Sequence, residues 1–186
     1  RTLVAIIPAR GGSKSLSRKN LLDLGGRPLI AHSILAALRC RSVTQTIVST
    51  EDPEINQISR DWGAQVIERP AELATDTAST ESVIRHALQF LQSAGSLPDL
   101  FVVLQPTSPL RRSTHLAAAV EMYGSRPDAG ALVSVCEVEH PPQRGQVSLP
   151  WRVGEGHFRQ EPQQVGGRLR PDQRIAVGFY GGAPGK

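Results

Sequence analysis

A cluster of glycines and cations follows the first apolar run of this chain. Residues 3–7 are apolar and rich in β-branched side chains, which predicts a buried strand that breaks at Pro8. The loop after it carries two adjacent glycines and four cations: Gly11 and Gly12, with Arg10, Lys14, Arg18 and Lys19. Glycines let backbone N–H groups approach phosphate oxygens, and cations neutralise those oxygens. The loop predicts a nucleotide triphosphate site at the carboxyl end of the strand. A flexible surface turn with solvated charges is the alternative.

The loop fits neither common nucleotide-binding fingerprint. The run Gly11-Gly-Ser-Lys14 has neither the G-x-x-x-x-G-K-[ST] spacing of the Walker loop nor the G-x-G-x-x-G spacing of the dinucleotide loop. Residues 7–14, followed by Arg18-Lys-Asn20, resemble instead the signature loop of the acylneuraminate (sialic acid) cytidylyltransferases. The resemblance covers most of residues 2–140 and departs at Ser17, where the family commonly has proline.

The resemblance implies how the loop works. Arg10 and Lys14 would contact the triphosphate as the catalytic cations, and Lys14 would stabilise the charge that builds on the α-phosphate and on the departing pyrophosphate. The implied CTP-binding residues are Arg10, Gly11, Gly12, Ser13, Lys14, Lys19, Asn20, Arg69 and Thr80. The last two belong to residues 69–80, the segment that reads the cytosine base in the family. An ordinary strand-to-helix connection, capped by Asp76 or Ser79, is the alternative for that segment.

A third segment follows the most apolar strand candidate and ends at Arg111. Many relatives in the superfamily carry metal-binding acids here, whereas this chain has Gln105, Thr107 and Ser108. The resemblance implies that these three residues contact an acidic sugar. The carboxylate of that sugar needs a cationic partner, for which Arg111 and Arg170 are the candidates. A proline-fixed loop, with Thr107 and Ser108 as helix caps, is the alternative.

The resemblance also implies Mg²⁺ as cofactor, held in the family by an aspartate pair in a D-x-D-like segment well downstream of the last strand candidate. The sequence ends at Lys186 without such a segment, so the metal ligands are unassigned. A truncated chain, a shortened protein and a sequence from which residues are omitted are all open readings. Asp52, which precedes Pro53, is expected to cap a helix.

Strand-like and helix-like patterns alternate through the first 136 residues. Strand candidates are residues 2–8, 45–50, 64–68, 100–105 and 130–136, and helix candidates are 28–40, 52–61, 78–94 and 112–124. This alternation predicts an α/β fold with a mostly parallel, Rossmann-like sheet and helices on both faces. Ligands bind outside the carboxyl ends of such strands. The loops at 9–20, 49–53, 69–80 and 105–111 are therefore expected on one functional rim.

The amino-acid composition of the sequence changes after Val138. Residues 141–172 combine prolines, glycines and glutamines with few apolar side chains, which favours an extended β-arm or a disordered linker. Residues 175–180 predict a returning strand. The resemblance implies a homodimer built through such an arm. The predicted organisation is a nucleotide-binding α/β domain over 1–140, a dimerisation arm over 141–172 and a returning strand over 173–186.

Composition narrows the class of protein. The net charge of +4 comes without a long basic run or interleaved aromatic residues, which disfavours nucleic acid as a partner. No apolar stretch reaches the length of a membrane span, so no membrane partner is expected. Cys40 and Cys136 fit no metal spacing, and lone thiols favour a reducing cytoplasm.

The motifs and the resemblance together predict transfer of CMP from CTP to the anomeric hydroxyl of a nine-carbon acidic sugar such as N-acetylneuraminate, with release of pyrophosphate. Pseudaminic, legionaminic or another ulosonic acid is the alternative acceptor. Outside enzymes, the alternative is a non-catalytic module that binds CTP or dimerises and lacks the metal-binding aspartates.

Overall fold

The computed structural model of this chain describes residues 1–12, 16–126 and 129–134, and the backbone of 178–179. The strands found there are β1 (Leu3–Pro8), β2 (Gln45–Thr50), β3 (Gln65–Glu68), β4 (Leu100–Leu104), β5 (Val133–Ser134) and β6 (Gly178–Phe179). The helices are α1 (Leu29–Leu38), α2 (Pro53–Asp61), α3 (Thr80–Ser93) and α4 (Ser113–Gly124). Short 3-10 turns lie at Lys19–Leu21 and Ala71–Leu73.

These strands form one sheet in the order β3-β2-β1-β4-β6-β5. Every pairing described within it is parallel. β1 lies inside the sheet, where Ile6 pairs with Ile47 of β2 on one side and with Val103 of β4 on the other. Parallel neighbours need a crossover between them, and α1, α2, α3 and α4 follow β1, β2, β3 and β4 in turn. The prediction of a parallel, Rossmann-like α/β sheet is confirmed.

Both faces of the sheet are covered by helices. Successive side chains of β1 alternate between two apolar clusters, with Leu3, Ala5 and Ile7 in one and Val4 and Ile6 in the other. The first cluster contains buried residues of α1, α2 and α4, and the second contains those of α3. Strands buried on both faces read as continuous apolar runs, which explains why β1 and β4 stand out in the sequence.

Polar caps fix where two of the helices begin. The Asp52 carboxylate accepts hydrogen bonds from the backbone N–H groups of Glu54 (3.0 Å) and Ile55 (2.9 Å) at the start of α2. The Ser79 hydroxyl accepts one from the N–H of Ser82 (3.1 Å) at the start of α3. Both caps were predicted from the sequence, and each places a loop of the carboxyl rim directly before a helix.

The strand candidate at residues 130–136 begins too early. Residues 130–132 are not strand, because Gly130 and its neighbours form a bend before β5. Positions 135–136 and the proposed arm at 141–172 lie outside the described residues, so the arm and the domain boundaries stay predictions. β6 falls within the strand candidate at 175–180 and pairs with both β4 and β5. Among the helices described, none is long and apolar enough to span a bilayer.

Candidate active site

An open cleft of about 260 Å³ lies at the carboxyl edge of the sheet. Because the strands are parallel, their carboxyl ends meet there, with Pro8 of β1 beside Ser49 of β2. Residues from three separate loops line the cleft, among them four that the sequence analysis singled out: Arg10, Arg69, Thr80 and Gln105. The expected functional rim is therefore present, and part of the predicted site converges on one cavity.

Arg10 spans the cleft. Its guanidinium forms an ion pair with Asp76, with 2.8 Å between Nη1 and Oδ1, and both side chains are partly exposed. Its carbonyl oxygen accepts a hydrogen bond from Nδ2 of Asn20 at 3.0 Å. Asn20 was predicted to contact the nucleotide. Its side-chain amide links the two ends of the loop that runs from Arg10 to Asn20.

Gly11 is held against the end of β2. Its N–H donates to Oε1 of Glu51 at 2.7 Å. A Cβ atom at this position would collide with the carboxylate of Asp52, so Gly11 is required by space. At Gly12 a Cβ would meet nothing within 4 Å. Ser13 and Lys14, predicted to bind the triphosphate, lie outside the described residues.

Arg18 anchors the far end of the loop. Its Nη2 lies 3.0 Å from Oδ1 of Asp52 and 2.7 Å from Oε2 of Glu54. Its backbone is left-handed (φ 51°, ψ 32°), a conformation that non-glycine residues hold only when their surroundings fix it. Partial burial works to raise the pKa of Asp52, but hydrogen bonds from the N–H of Ile55 and from Arg18 outweigh it and lower that pKa.

Arg69 lies at the buried side of the cleft, with 5% of its surface exposed. Its Nη2 donates to the carbonyl oxygen of Ser49 at 2.6 Å, and its Nε donates to the hydroxyl of Ser49 at 3.3 Å. Burial lowers the pKa of Arg69, whereas the charge of Glu51 acts in the opposite direction. The guanidinium of Arg69 is therefore held in a fixed position at the cleft. Its contact with the cytosine base stays a prediction.

The predicted sugar contacts separate into two groups. Gln105 lines the cleft, and its carbonyl oxygen accepts from the N–H of Ser108 (3.2 Å) and the hydroxyl of Ser33 (3.5 Å). Thr107, Ser108 and Arg111 follow in the next turn and are not among the described residues that line the cleft. Arg111 is buried, which lowers its pKa to about 10.

Two further predicted residues are not placed in the cleft. Lys19 lies half-buried in a 3-10 turn at the end of the glycine-rich loop 9–20, named the phosphate loop for its predicted role, and is not among the described lining residues. Arg170 lies outside the described residues. These roles stay predictions.

Sequence reasoning missed two acidic residues of the site. Asp76 was considered only as one of two possible caps, beside Ser79, but Ser79 caps α3 and Asp76 pairs with Arg10. Glu51 was given no role, although it follows a buried strand on the predicted rim. Its place on that rim was the available signal, because a partly buried carboxylate there must find a hydrogen-bond donor in a neighbouring loop, which here is the N–H of Gly11.

The acidic residues near the cleft do not form a metal site. Within the described parts of the chain, no group of three or more His, Cys, Asp or Glu side chains is arranged to hold an ion. Glu51, Asp52 and Asp76 bind Gly11, Arg18 and Arg10 respectively. These residues do not fit a Mg²⁺ site, and the ligands remain unassigned.

Comparison with known proteins identifies the family. The profile of the cytidylyltransferase family matches residues 4–144. The chain is 43% identical to the N-acylneuraminate cytidylyltransferase of Escherichia coli O18:K1:H7 over 141 residues, which are 76% of this chain and 33% of that protein. It is 32% identical to a pseudaminic acid cytidylyltransferase of Campylobacter jejuni over 167 residues, 87% of this chain and 72% of that protein. The chain thus spans about a third of the length of the first relative.

A solved structure shares the fold. The structure of CMP:2-keto-3-deoxy-manno-octonic acid synthetase complexed with CTP superposes with a TM-score of 0.62 at 26% identity, over 72% of this chain and 52% of that one. The family profile covers most of the chain and includes the residues that line the cleft. This chain belongs to the cytidylyltransferase family, in the acylneuraminate group that its own motifs resemble.

Proposed function

We propose that this protein transfers CMP from CTP to the anomeric hydroxyl of a nine-carbon acidic sugar and releases pyrophosphate. One observation carries the proposal: Arg10, Arg69, Thr80 and Gln105 come from three loops far apart in sequence and line the same cleft. The combination supplies two guanidinium groups and two neutral polar side chains. That set suits a ligand with a polyanionic part and a polar, uncharged part.

The base of CTP is proposed to bind at the Arg69 side. The two bonds to Ser49 use two of the five N–H donors of Arg69, and the others are available to the O2 and N3 acceptors of cytosine. Thr80 begins α3, lines the same cleft and offers a hydroxyl. Because the guanidinium is held by strand β2, it is oriented before the nucleotide arrives.

The triphosphate is proposed to bind at the Arg10 side, next to the glycine loop. Arg10 is paired with Asp76, so phosphate oxygens must compete with this carboxylate for the guanidinium. Pairs as exposed as this one contribute little, about 0–1 kcal/mol, and three phosphates carry far more charge than one carboxylate. Displacement of Asp76 by the nucleotide is therefore favourable.

The reaction is proposed as an in-line displacement at the α-phosphorus. The anomeric hydroxyl oxygen forms a bond to the α-phosphorus and gives its proton to solvent water, while the bond from that phosphorus to the bridging oxygen breaks and pyrophosphate departs with the electron pair. Arg10, together with Lys14 by the resemblance, neutralises the charge that develops. Catalysis of this kind rests on positioning and electrostatic stabilisation.

Mg²⁺ is proposed as cofactor, and when bound to the nucleotide it would neutralise charge on the phosphate oxygens. The described residues supply no group of ligands for it, so no step is assigned to it.

The cytoplasm is the proposed location, because the free, buried thiol of Cys40 suits a reducing compartment.

The acceptor is proposed to be N-acetylneuraminate-like, with Gln105 as its contact in the cleft. The relative named for N-acylneuraminate is 43% identical to this chain and the one named for pseudaminic acid is 32% identical, which favours an N-acetylneuraminate-like acceptor. Pseudaminic, legionaminic or another ulosonic acid is the alternative acceptor.

A pyrophosphate-release assay tests the proposal. CTP and Mg²⁺ are supplied with N-acetylneuraminate, a pseudaminate or a legionaminate, and calorimetry records CTP binding in parallel. Release with one of these sugars is expected. CTP binding without turnover on any acceptor would favour a non-catalytic CTP-binding module, and absence of CTP binding would overturn the proposal.

A further inference from the structure

The end of strand β2 contacts two of the loops that line the cleft but does not line the cleft itself. The carbonyl oxygen of Ser49 accepts from the N–H of Ala9 (3.0 Å) and from Arg69 (2.6 Å), and the carbonyl oxygen of Thr50 accepts from the N–H of Arg69 (2.8 Å). Glu51 follows directly and reaches Gly11. None of these three β2-end residues is among the described residues that line the cleft.

Glu51 is the member of this group that reaches the phosphate loop by its side chain. Its Oε1 accepts the N–H of Gly11 at 2.7 Å, across 40 positions of sequence. Its Oε2 is buried and accepts no hydrogen bond from the described residues. A carboxylate placed beside a site for a triphosphate is electrostatically unfavourable for that ligand, so its presence needs another reason.

The close approach of the loop at Gly11 gives a reason for the carboxylate of Glu51. The loop lies so close to β2 that a Cβ at Gly11 would collide with Asp52, and this close approach is maintained on one side by the bond to Glu51. Gly11 is flanked by Arg10, whose guanidinium enters the cleft. A shift of the Gly11 backbone would therefore displace Arg10 relative to Arg69, which β2 holds independently.

We propose that Glu51 is a positioning residue: by accepting the Gly11 N–H it sets the distance between the phosphate loop and the guanidinium of Arg69. The proposal rests on the proposed function, since it assigns a nucleotide to the cleft. In this role Glu51 does not contact the substrate. The hydrogen bond, rather than the negative charge, is what the site requires.

A pair of neutral variants separates the two properties. Glu51→Gln removes the charge and keeps an acceptor for Gly11, whereas Glu51→Met removes both and keeps a side chain of similar length. If the bond is required, Glu51→Gln binds CTP as tightly as the wild type or tighter, because a repelling charge is gone. Glu51→Met then binds CTP at least about fivefold more weakly, because the Gly11 donor has lost its partner.

Other outcomes overturn the proposal. Tighter CTP binding by both variants would mean that Glu51 acts only as a repelling charge. Equal weakening in both would mean that the charge matters and the bond does not, and unchanged binding in both would leave Glu51 without a role. Glu68→Ala is the matched control, because Glu68 ends the neighbouring strand β3 and is exposed.

The amide signal of Gly11 tests the anchoring without any nucleotide. In 15N-labelled protein we expect that amide to resist hydrogen exchange in the wild type and in Glu51→Gln, and to lose protection in Glu51→Met. Equal protection in both variants would overturn the anchoring. If the three proteins show this exchange pattern but the wild type binds no CTP, the proposed function is overturned and the anchoring is not.

Thermal unfolding of each variant shows whether it is folded. If Glu51→Met is not folded, Gly11→Ala displaces the loop from the other partner, since the added methyl group collides with Asp52. It is expected to weaken CTP binding as Glu51→Met would. Unchanged binding in a folded Gly11→Ala variant would overturn the proposal.

Discussion

The cations of the phosphate loop have different partners, and the partners suggest different roles. Arg18 is shared between Asp52 and Glu54 at the start of α2, which fits an anchor of the loop rather than a ligand for phosphate. Arg10 has a partly exposed partner, Asp76, inside the cleft, which phosphate can replace. Four cations in the sequence therefore do not amount to four phosphate contacts.

Lys14→Ala is expected to lower turnover far more than it weakens CTP binding. The motivation is the position of Lys14 in the glycine loop, where the resemblance places it against charge that develops in the transition state. Loss of such a donor costs on the order of 10²-fold or more in kcat. Steady-state kinetics with calorimetric CTP titrations measure both quantities.

The matched control for this variant is Arg41→Ala, which removes one exposed positive charge before β2, at the opposite edge of the sheet. It should leave both kcat and the Kd for CTP unchanged. A Lys14→Ala enzyme that keeps turnover within a few-fold of the wild type would remove Lys14 from the catalytic role.

Residue-level prediction succeeded for side chains whose position in an element determines their surroundings. Arg69 follows β3 directly and Gln105 follows β4, so both could be assigned to the rim from the strand pattern. The partners of Glu51 and Asp76 could not, because each depends on how closely two loops approach one another. That distance is set by packing of the whole sheet, which local sequence does not encode.

At the scale of elements, the turn between β2 and α2 combines two tasks. Asp52 caps α2 and also receives Arg18 from the phosphate loop, so one carboxylate stabilises a helix and fixes a loop. The cap was predictable from Asp52 and Pro53 alone, since the pattern is local. The contact with Arg18 was not, because 34 residues separate the partners.

Asp52→Ala is expected to destabilise the fold by about 0.5–2 kcal/mol through loss of the cap. Asp52→Asn, which keeps a capping oxygen, should cost less at pH 7. The pKa of Asp52 is lowered in the folded state, so the stabilisation by its charge is present above the ordinary carboxyl range, near pH 3.9, and is lost as the pH falls below it.

Urea unfolding at pH 7 and at about pH 3 measures this difference. The gap in unfolding free energy between wild type and Asp52→Asn should shrink in acid, because protonated Asp52 resembles the amide. A gap that stays constant or widens as the pH falls would contradict the assignment.

The segment from Arg69 to Thr80 is expected to make the cleft prefer CTP over ATP. Arg69 is fixed by Ser49 and Thr80 begins α3, so rigid elements carry two of the residues that line the cleft. A pocket of that kind admits a pyrimidine and excludes a purine by size. Calorimetry with the four nucleoside triphosphates measures the preference, and ATP binding as tight as CTP or tighter would rule out the pyrimidine pocket.

At the scale of the whole molecule, the alternation of strands and helices predicted the class of sheet but not its strand order. β6 lies between β4 and β5, although β5 precedes it in sequence. Strand pairing is decided by which apolar faces can be covered together, and two-residue strands such as β5 and β6 carry little pattern of their own. The start of β5 was misjudged for the same reason.

A homodimer in which residues 141–172 cross to the partner is expected from the sequence of that segment. Val147, Leu149, Trp151 and Phe158 are spaced through a polar, proline-rich stretch that is too apolar for a free linker and too irregular for a core. On a monomer these side chains would bury poorly, whereas the surface of a second copy could remove them from water.

Deletion of residues 145–168, closed by a short Gly-Ser bridge, should therefore give monomers with lower activity. Light scattering measures the mass, and a full-length variant with serine at the four apolar positions is the matched control, expected to dissociate as well. A dimer that survives the deletion would refute the arm and leave the segment as a linker.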